Sequence, residues 1–589
     1  MDLDAALRDR FGFGAFRPGQ REACAAALAG RDALVVMPTG SGKSLCYQLP
    51  ALMRDDLTLV VSPLVSLMQD QVEALDARAP GSVGLVNAQQ GPDVNREVVA
   101  RAVGGDLRLL YVAPERFASP GFAEAIRAAR IGLFVVDEAH CVSQWGHDFR
   151  PDYFRLADAA RWLEAGSLVA STATATPQVA DDIVRRLGLR DPLRVATGFD
   201  RPNLSFGVVR CRTTTDKHRR LATALREPGA LPAIVYSGTR KGTVALAAEL
   251  RSELGVEVLA YHAGVEREAR ATVQRRFMTG EVPVVVATNA FGMGIDKADV
   301  RTVCHATVPG SVEAYYQEAG RAGRDGAPAR CLLFAEGRDK GLHVFFIERD
   351  KVDDSAFGRV AGVLELNATE GRYDVGAVEL ARLTGCEVEQ VGGLIGHLAR
   401  AGVLRPAPAS VDRVRGRLTA ACDGRALATC RTSARDAERA RWRQYRAVWA
   451  FVEGDTCRRA AILRHFGDAT PPAADGVACC DVCEPGLVAA LVPAPAQGAA
   501  VSAVAPGDLD AAIVEVVQVA RPSVGRTRAV EILRGGRSKV IQQHSYDGLP
   551  GYGAYAHLSG PDVLGRVDEL LAGGTLRSTG GRFPKLAAA

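Results

Sequence analysis

The chain has 589 residues, 47% hydrophobic and 24% charged, and its 72 basic against 68 acidic side chains leave a net charge of +4. That length exceeds what one hydrophobic core supports and points to about four domains, while the composition excludes wholesale disorder, collagen-like repeats and a membrane bundle. So even a charge balance does not by itself indicate a polyanionic partner. The opening Met1-Asp2-Leu3-Asp4 carries acids where an export signal is basic, so the expectation is a cytoplasmic protein without membrane association.

From residue 30 to about 335, short apolar runs such as Ala33–Met37, Ile131–Asp137 and Val282–Thr288 alternate with amphipathic Ala-rich stretches. Buried parallel strands and crossover helices read this way. A break near Gly198-Phe199-Asp200-Arg201-Pro202-Asn203 divides them into two doubly wound parallel-sheet α/β domains, 1–200 and 201–345, with a ligand crevice between. Residues 346–420 read as an inserted helix-turn-helix or winged-helix-like unit, with helices over Asp374–Leu383 and Glu387–Arg400 and a short strand from Gly402. A cysteine-bearing helical segment, 421–484, an uncharged Ala/Pro/Val linker, 485–507, and a winged helix, 508–589, with its wing over Thr575–Lys585, complete the plan.

Of the thirteen cysteines, Cys24, Cys46, Cys141, Cys211, Cys304, Cys331, Cys386, Cys422 and Cys430 stand alone and read as small buried hydrophobes. Cys457, Cys479, Cys480 and Cys483 are clustered instead.

The strand Ala33–Met37 runs into Pro38-Thr39-Gly40-Ser41-Gly42-Lys43-Ser44 and then a helix. This is a phosphate-binding loop: Gly40 and Gly42 admit phosphate to the backbone N–H groups, Lys43 holds the terminal phosphates, and Ser44 holds Mg²⁺. A second apolar strand ends in Asp137-Glu138-Ala139-His140. There Asp137 orients Mg²⁺ and Glu138 polarises the attacking water. Together the two loops predict ATP hydrolysis. In the second α/β domain, Gln317 precedes Arg321 and Arg324, which three-residue spacing puts on one helical face as an arginine finger reaching across the crevice.

With these residues in place the chain resembles the RecQ family of superfamily-two DNA helicases. Phe11-Gly-Phe-Gly-Ala-Phe-Arg-Pro-Gly-Gln20 is similar to that family's adenine-recognition segment, which implies that Phe13 stacks on the base while Arg17 and Gln20 bond its edge. Further matches are Ser171-Thr-Ala-Thr174, Tyr236-Ser-Gly-Thr-Arg240 and Ala287-Thr-Asn-Ala-Phe-Gly-Met-Gly-Ile-Asp-Lys297. Gln144, Trp145, His147, Phe149, Arg150 and Tyr153 resemble the aromatic-rich loop that senses single-stranded DNA and signals to the ATP site, and their rings suit base stacking. The resemblance also implies a helical zinc subdomain. Cys457, Cys480 and Cys483 offer thiolates for a closed tetrahedral Zn²⁺ site. The family expects a further Cys where Val477 stands, so Cys479 is the fourth candidate and His465 the substitute.

Two basic stripes could follow DNA. Arg431, Arg435, Arg439 and Arg443 recur every four residues, and Arg526, Arg528, Arg534, Arg537 and Lys539 crowd the last domain. His544, Tyr546, Arg582 and Phe583 are candidates for a duplex-separating element. The expectation is an ATP-dependent 3′–5′ helicase that moves on single-stranded DNA and opens duplex or branched DNA in recombination and repair. It would be nucleoid-associated and meet single-strand-binding and recombination proteins. A DEAD/DEAH-type RNA helicase and a DNA-structure binding or annealing protein with a weak motor are the alternatives.

Overall fold

A computed structural model describes all residues except 1, 64, 88, 119, 144–152, 154–155, 292–296, 408–411, 473–477, 492–505, 537, 550, 580–583 and 589. The first lobe is a sheet of β1 (Ala33–Val36), β2 (Leu57–Val61), β3 (Val83–Val86), β4 (Leu109–Val112), β5 (Ile131–Val136), β6 (Ser167–Thr172) and β7 (Leu193–Ala196). All run parallel in the order β3-β4-β2-β5-β6-β1-β7. Every residue of β1 to β6 is buried. Alternation divides them between two cores: Leu34 and Val36 face one hydrophobic cluster, Ala33 and Val35 the other. A sheet covered on both faces requires this continuous apolar character.

The second lobe repeats the design with β8 (Leu204–Cys211), β9 (Ala233–Tyr236), β10 (Val258–Tyr261), β11 (Val284–Ala287), β12 (Thr302–His305) and β13 (Ala329–Glu336). They too are parallel, in the order β10-β11-β9-β12-β13-β8. Both lobes present their loops at the carboxyl ends of the strands, where ligands of open α/β sheets bind.

The inserted unit consists of helix Ala356–Leu366, β14 (Arg372–Gly376), helices Ala377–Thr384 and Val388–Arg400, then β15 (Leu404–Ala407) and β16 (Arg413–Leu418), with an antiparallel sheet ordered β14-β16-β15. Asp374, expected to open a helix, lies instead in the middle of β14, because Tyr373 and Val375 alternate inward to the unit's core. That core also takes in Ala426 and Cys430 from the long helix Gly424–Glu453, so packing crosses the expected boundary at 420. The expected linker needs a similar correction. Residues 485–491 form a short helix whose Val488 and Leu491 are buried against the second lobe, so apolar burial holds them to the motor.

The chain forms two compact units, 1–492 and 493–589. The C-terminal unit has helices Pro506–Val519, Arg526–Leu533, Lys539–Gln543 and Gly560–Ala572 and an antiparallel hairpin of β17 (Leu576–Ser578) and β18 (Leu586–Ala588), around its own apolar core. Among the described residues, no helix is long and apolar enough to cross a membrane. Cys24, Cys46, Cys141, Cys211, Cys304, Cys331 and Cys430 are buried as expected; Cys386 and Cys422 are only half-buried.

Candidate nucleotide cleft and zinc cluster

β1 delivers the phosphate loop at its carboxyl end, and helix Leu45–Met53 carries the chain away. Gly40 and Gly42 have φ of 82° and 80°. A Cβ on Gly42 would also lie 2.7 Å from the Gln20 amide nitrogen, so conformation and space both demand glycine. The Gln20 amide donates to the carbonyls of Ser41 (2.9 Å) and Gly42 (3.2 Å) and accepts the Arg17 backbone N–H (2.9 Å), while the Arg17 guanidinium donates to the Gly40 carbonyl (2.6 Å). Beside the expected adenine-edge role, these two side chains brace the phosphate loop. Phe13 remains 48% exposed. Lys43 donates to the carbonyls of Met37 (3.2 Å) and Pro38 (3.3 Å). Burial lowers its pKa, against the upward pull of Glu138 and Asp137. The Thr39 hydroxyl is buried without a hydrogen-bond partner among the described residues, as suits a loop shaped for a polar ligand.

β5 ends beside this loop. Burial, then the neighbouring Glu138, push the Asp137 carboxyl up to about 7, while Lys43 pulls it down. Glu138 adopts a left-handed backbone (φ 48°), strain of the kind that collects at functional sites. Its carboxylate lies 3.2 Å from His140 Nδ1, which also contacts the Thr172 hydroxyl (3.0 Å) at the end of β6. The acidic loop is thus tied to Ser171-Thr-Ala-Thr174. Tyr153 departs from expectation: it is fully buried, and its hydroxyl donates to the Asp137 carbonyl (3.1 Å). It anchors the acidic loop and offers no ring to DNA. Gln144, Trp145, His147, Phe149 and Arg150 lie outside the described residues.

From the second lobe, helix Val312–Ala319 brings Gln317. The helix ends there, so Arg321 and Arg324 do not share a helical face. They occupy a turn instead, in which Gly323 is left-handed (φ 54°). Arg321 is buried beside Tyr236, and a Cβ on Gly40 would meet the Arg324 stem at 3.4 Å. Arg324 therefore reaches over the phosphate loop.

Sequence reasoning missed Arg201. Its guanidinium donates to the Thr39 carbonyl in the phosphate loop (3.0 Å) and to the carbonyls of Gly320 (3.3 Å), Ala322 (3.0 Å) and Gly323 (3.0 Å) in the arginine turn. One side chain from the interlobe segment thus pins the two halves of the cleft together. A lone arginine at a domain break has no period or spacing to betray it.

The cysteine sulfurs of Cys457, Cys479, Cys480 and Cys483 all lie within 4.8 Å of one another. The separations Cys457–Cys479 and Cys480–Cys457 are 3.5 and 3.9 Å. A tetrahedron with Zn–S bonds of about 2.3 Å has edges of about 3.8 Å, so the four thiols fit zinc. Backbone N–H groups of Arg458 and Ala460 donate to the sulfurs of Cys480 and Cys457. His465 is turned away, pairing with Glu313 at 2.9 Å. The cluster is fastened to the motor: Cys480 pairs with Phe206 of β8 in a single parallel bridge, Arg459 donates to the Leu204 carbonyl (2.8 Å), Asp468 accepts the Phe199 N–H (2.8 Å), and Phe466 stacks on Phe199 at 4.3 Å.

Models of known families match in four places: DEAD/DEAH box helicase at residues 17–183, helicase conserved C-terminal domain at 216–326, RecQ zinc-binding at 417–484 and RQC domain at 509–588. The probable ATP-dependent DNA helicase RecS of Bacillus subtilis is 34% identical over 484 residues, 82% of this chain and 92% of that protein. The chain belongs to the RecQ family of helicases. The ATP-dependent DNA helicase RecQ of Haemophilus influenzae is 44% identical over 335 residues, 57% of this chain and 53% of that protein, so the chain matches about half the length of that RecQ relative. A solved structure of the Mycobacterium smegmatis helicase Lhr, bound to ssDNA and AMP-PNP, is similar with a TM-score of 0.48 and 22% identity, over 73% of this chain and 62% of that one. The inserted unit lies between the second and third of these matched spans.

In the RQC region, Arg526 pairs with Asp568 (2.6 Å), Arg528 with Glu531 and the Ser538 hydroxyl, and Arg534 donates to the Leu558 carbonyl (2.9 Å). Arg537 and the Lys539 side chain lie outside the described residues. Tyr546 is buried, its hydroxyl on the Pro522 carbonyl (2.6 Å), so it is not an exposed strand-separating ring. In the earlier stripe, Arg431 and Arg435 face Asp354, and Arg439 faces Asp436.

Proposed function

We propose that this chain is an ATP-dependent 3′–5′ DNA helicase that translocates on single-stranded DNA and unwinds duplex or branched DNA in recombination and repair. The observation that carries the reading is the two-sided cleft, in which Arg201 and Arg324 meet the phosphate loop of the opposite lobe. Lys43 and the loop N–H groups hold the terminal phosphates. Thr39, Ser41 and Ser44 line them, and Phe13 offers its exposed ring to the adenine. Ser44 and Asp137 would hold Mg²⁺, which neutralises phosphate charge when bound. Glu138 polarises the attacking water, and Gln317, Arg321 and Arg324 stabilise the charge that develops.

Because Arg201 ties the phosphate loop to the arginine turn, a change at the terminal phosphate alters the contact between lobes. That change is the step that moves DNA. The segment holding Gln144, Trp145, His147, Phe149 and Arg150 follows the acidic loop directly, so it is placed to report single-stranded DNA to Glu138. Cys457, Cys479, Cys480 and Cys483 would hold zinc, which cross-links the loops that grip the interlobe segment. In the RQC unit, Arg526, Arg528, Arg534, Arg537 and Lys539 would contact DNA phosphates. Single-strand-binding and recombination proteins at the nucleoid are the partners this activity implies. Strand displacement on 3′-tailed, 5′-tailed and forked DNA, with matched RNA duplexes, tests the reading: ATP-dependent opening of 3′-tailed DNA supports it, and preference for RNA or for 5′ tails overturns it.

A further inference from the structure

The inserted unit is a winged helix in topology, yet it inverts the usual placement of charge. Helix Val388–Arg400, where such folds carry base-reading side chains, exposes Glu389, Gly392 and Gly393 and buries Val391, Leu394, Ile395 and Leu398. Five exposed arginines sit on the sheet, and Arg400 stands only at the end of that helix. Alternation turns Tyr373, Val375 and Leu404 into the core and leaves Arg372, Asp374, Arg405, Arg413, Arg415 and Arg417 on the outward face. Cross-strand register lines up Arg372, Arg417 and Arg405 as directly opposite neighbours. Like charges so placed destabilise a sheet, and no core packing requires them there.

Among the described residues of the three strands, Asp374 is the one acid on that face. It binds Arg413 (2.6 Å) and Arg415 (2.5 Å). Arg372 and Arg417 make no ion pair among the described residues. Among the described residues the outward strand positions hold no aromatic ring on which an unpaired base could stack, so they present charge at intervals of about 5 Å across strands and about 7 Å along them. Its position also argues for nucleic acid. Arg405 pairs with Asp158 (3.1 Å) on helix Leu156–Trp162, just after the segment assigned to DNA sensing. At the other end of that segment, the Ser143 hydroxyl donates to Asp182 (2.8 Å), which also holds Arg185 and Arg186 and lies within electrostatic reach of Arg400 of the inserted unit.

We propose that the outward sheet face of the inserted unit, centred on Arg372 and Arg417, is a phosphate-binding surface for duplex DNA beside the motor. This rests on the DNA-helicase reading above. A rigid array of cations without stacking partners matches the regular backbone of a duplex better than a flexible single strand, which is gripped largely through its bases.

The test is salt-dependent binding of the full chain, without nucleotide, to a blunt duplex and to an oligothymidine strand. The R372Q/R417Q variant is expected to bind duplex about tenfold more weakly at low salt, and its plot of log affinity against log salt to flatten by about two contacts. R372K/R417K should retain the slope. Thermal midpoints should stay level or rise, since repulsion is relieved; a fall in midpoint with an unchanged slope would make the arginines structural and overturn the proposal. So would equal slopes for wild type and R372Q/R417Q on duplex, or an equal loss on the single strand. If wild type binds duplex but DNA does not stimulate its ATP hydrolysis, the helicase reading fails by itself and this surface stands.

Discussion

The nucleotide cleft and the sheet face of the inserted unit both concentrate charge, under opposite conditions. In the cleft, Lys43, Asp137, Glu138 and Arg321 are packed where water is scarce, each is held by specific partners, and pKa values move by burial first. On the sheet face the guanidiniums of Arg372, Arg413, Arg415 and Arg417 stay in water, and one carboxylate, Asp374, is shared between two of them. Charge interactions in the first setting are worth several kcal/mol and are nearly blind to salt; in the second they are worth about 0 to 1 kcal/mol and are screened. The cleft is therefore built to do chemistry on one anion, and the sheet face to hold a long one loosely.

The comparison predicts a graded series of effects. Lys43→Ala should lower DNA-stimulated ATP turnover about 10³-fold, read as phosphate release at saturating DNA; retained turnover would mean that this cation is not part of the reaction. Cys480→Ser should release stoichiometric zinc, measured by elemental analysis, and lower the thermal midpoint, because the loops that grip Phe199, Leu204 and Phe206 lose their cross-link. Metal-free protein with an unchanged melt would refute that coupling. Arg201→Ala should reduce kcat about tenfold while nucleotide still binds, the cost of losing charged hydrogen bonds between the lobes; an effect on KM alone would place Arg201 outside lobe closure.

His397 gives a pH-dependent case between these extremes. Buried beside the Ser433 hydroxyl (2.8 Å) and edge-on to Phe357, and facing the charges of Arg400 and Arg441, it has its pKa lowered to about 4. The fold thus holds the neutral ring, whereas the unfolded chain protonates it near 6.5. Its contribution to stability is complete above about pH 6.5 and is lost as pH falls toward 4. Melts of wild type between pH 7 and 5 should show this loss, and His397→Gln should flatten it. The smallest effect belongs to Asp374→Asn. Removing the acid that restrains Arg413 and Arg415 should tighten duplex binding two- to threefold at low salt, with no gain at high salt where screening removes it.

Much of the motor was legible in the sequence because its elements announce themselves locally. A run such as Ile131–Val136 is buried throughout since parallel strands between two helical layers must be, and Gly40 and Gly42 are needed where a loop turns left-handed under a phosphate. The cysteines clustered at 457 and 479–483 likewise read as a metal site before their sulfurs could be placed within 4.8 Å of one another. Errors fell where side-chain direction mattered. Tyr153 reads as a stacking ring but is an anchor under Asp137. Asp374 reads as opening a helix because the two-residue alternation of β14 is too short to stand out against its flanks.

By itself, then, the sequence determined the two parallel-sheet lobes, the nucleotide motifs and the family, since these depend on periodicity, loop conformation and residue type within short windows. Tertiary structure alone decided three matters: that Arg201 joins the phosphate loop to the arginine turn, that the zinc cluster grips the interlobe segment, and that the arginines of the inserted unit share one sheet face. Each joins residues far apart along the chain, and side-chain orientation and cross-strand register, which set such contacts, exist only once the chain has folded.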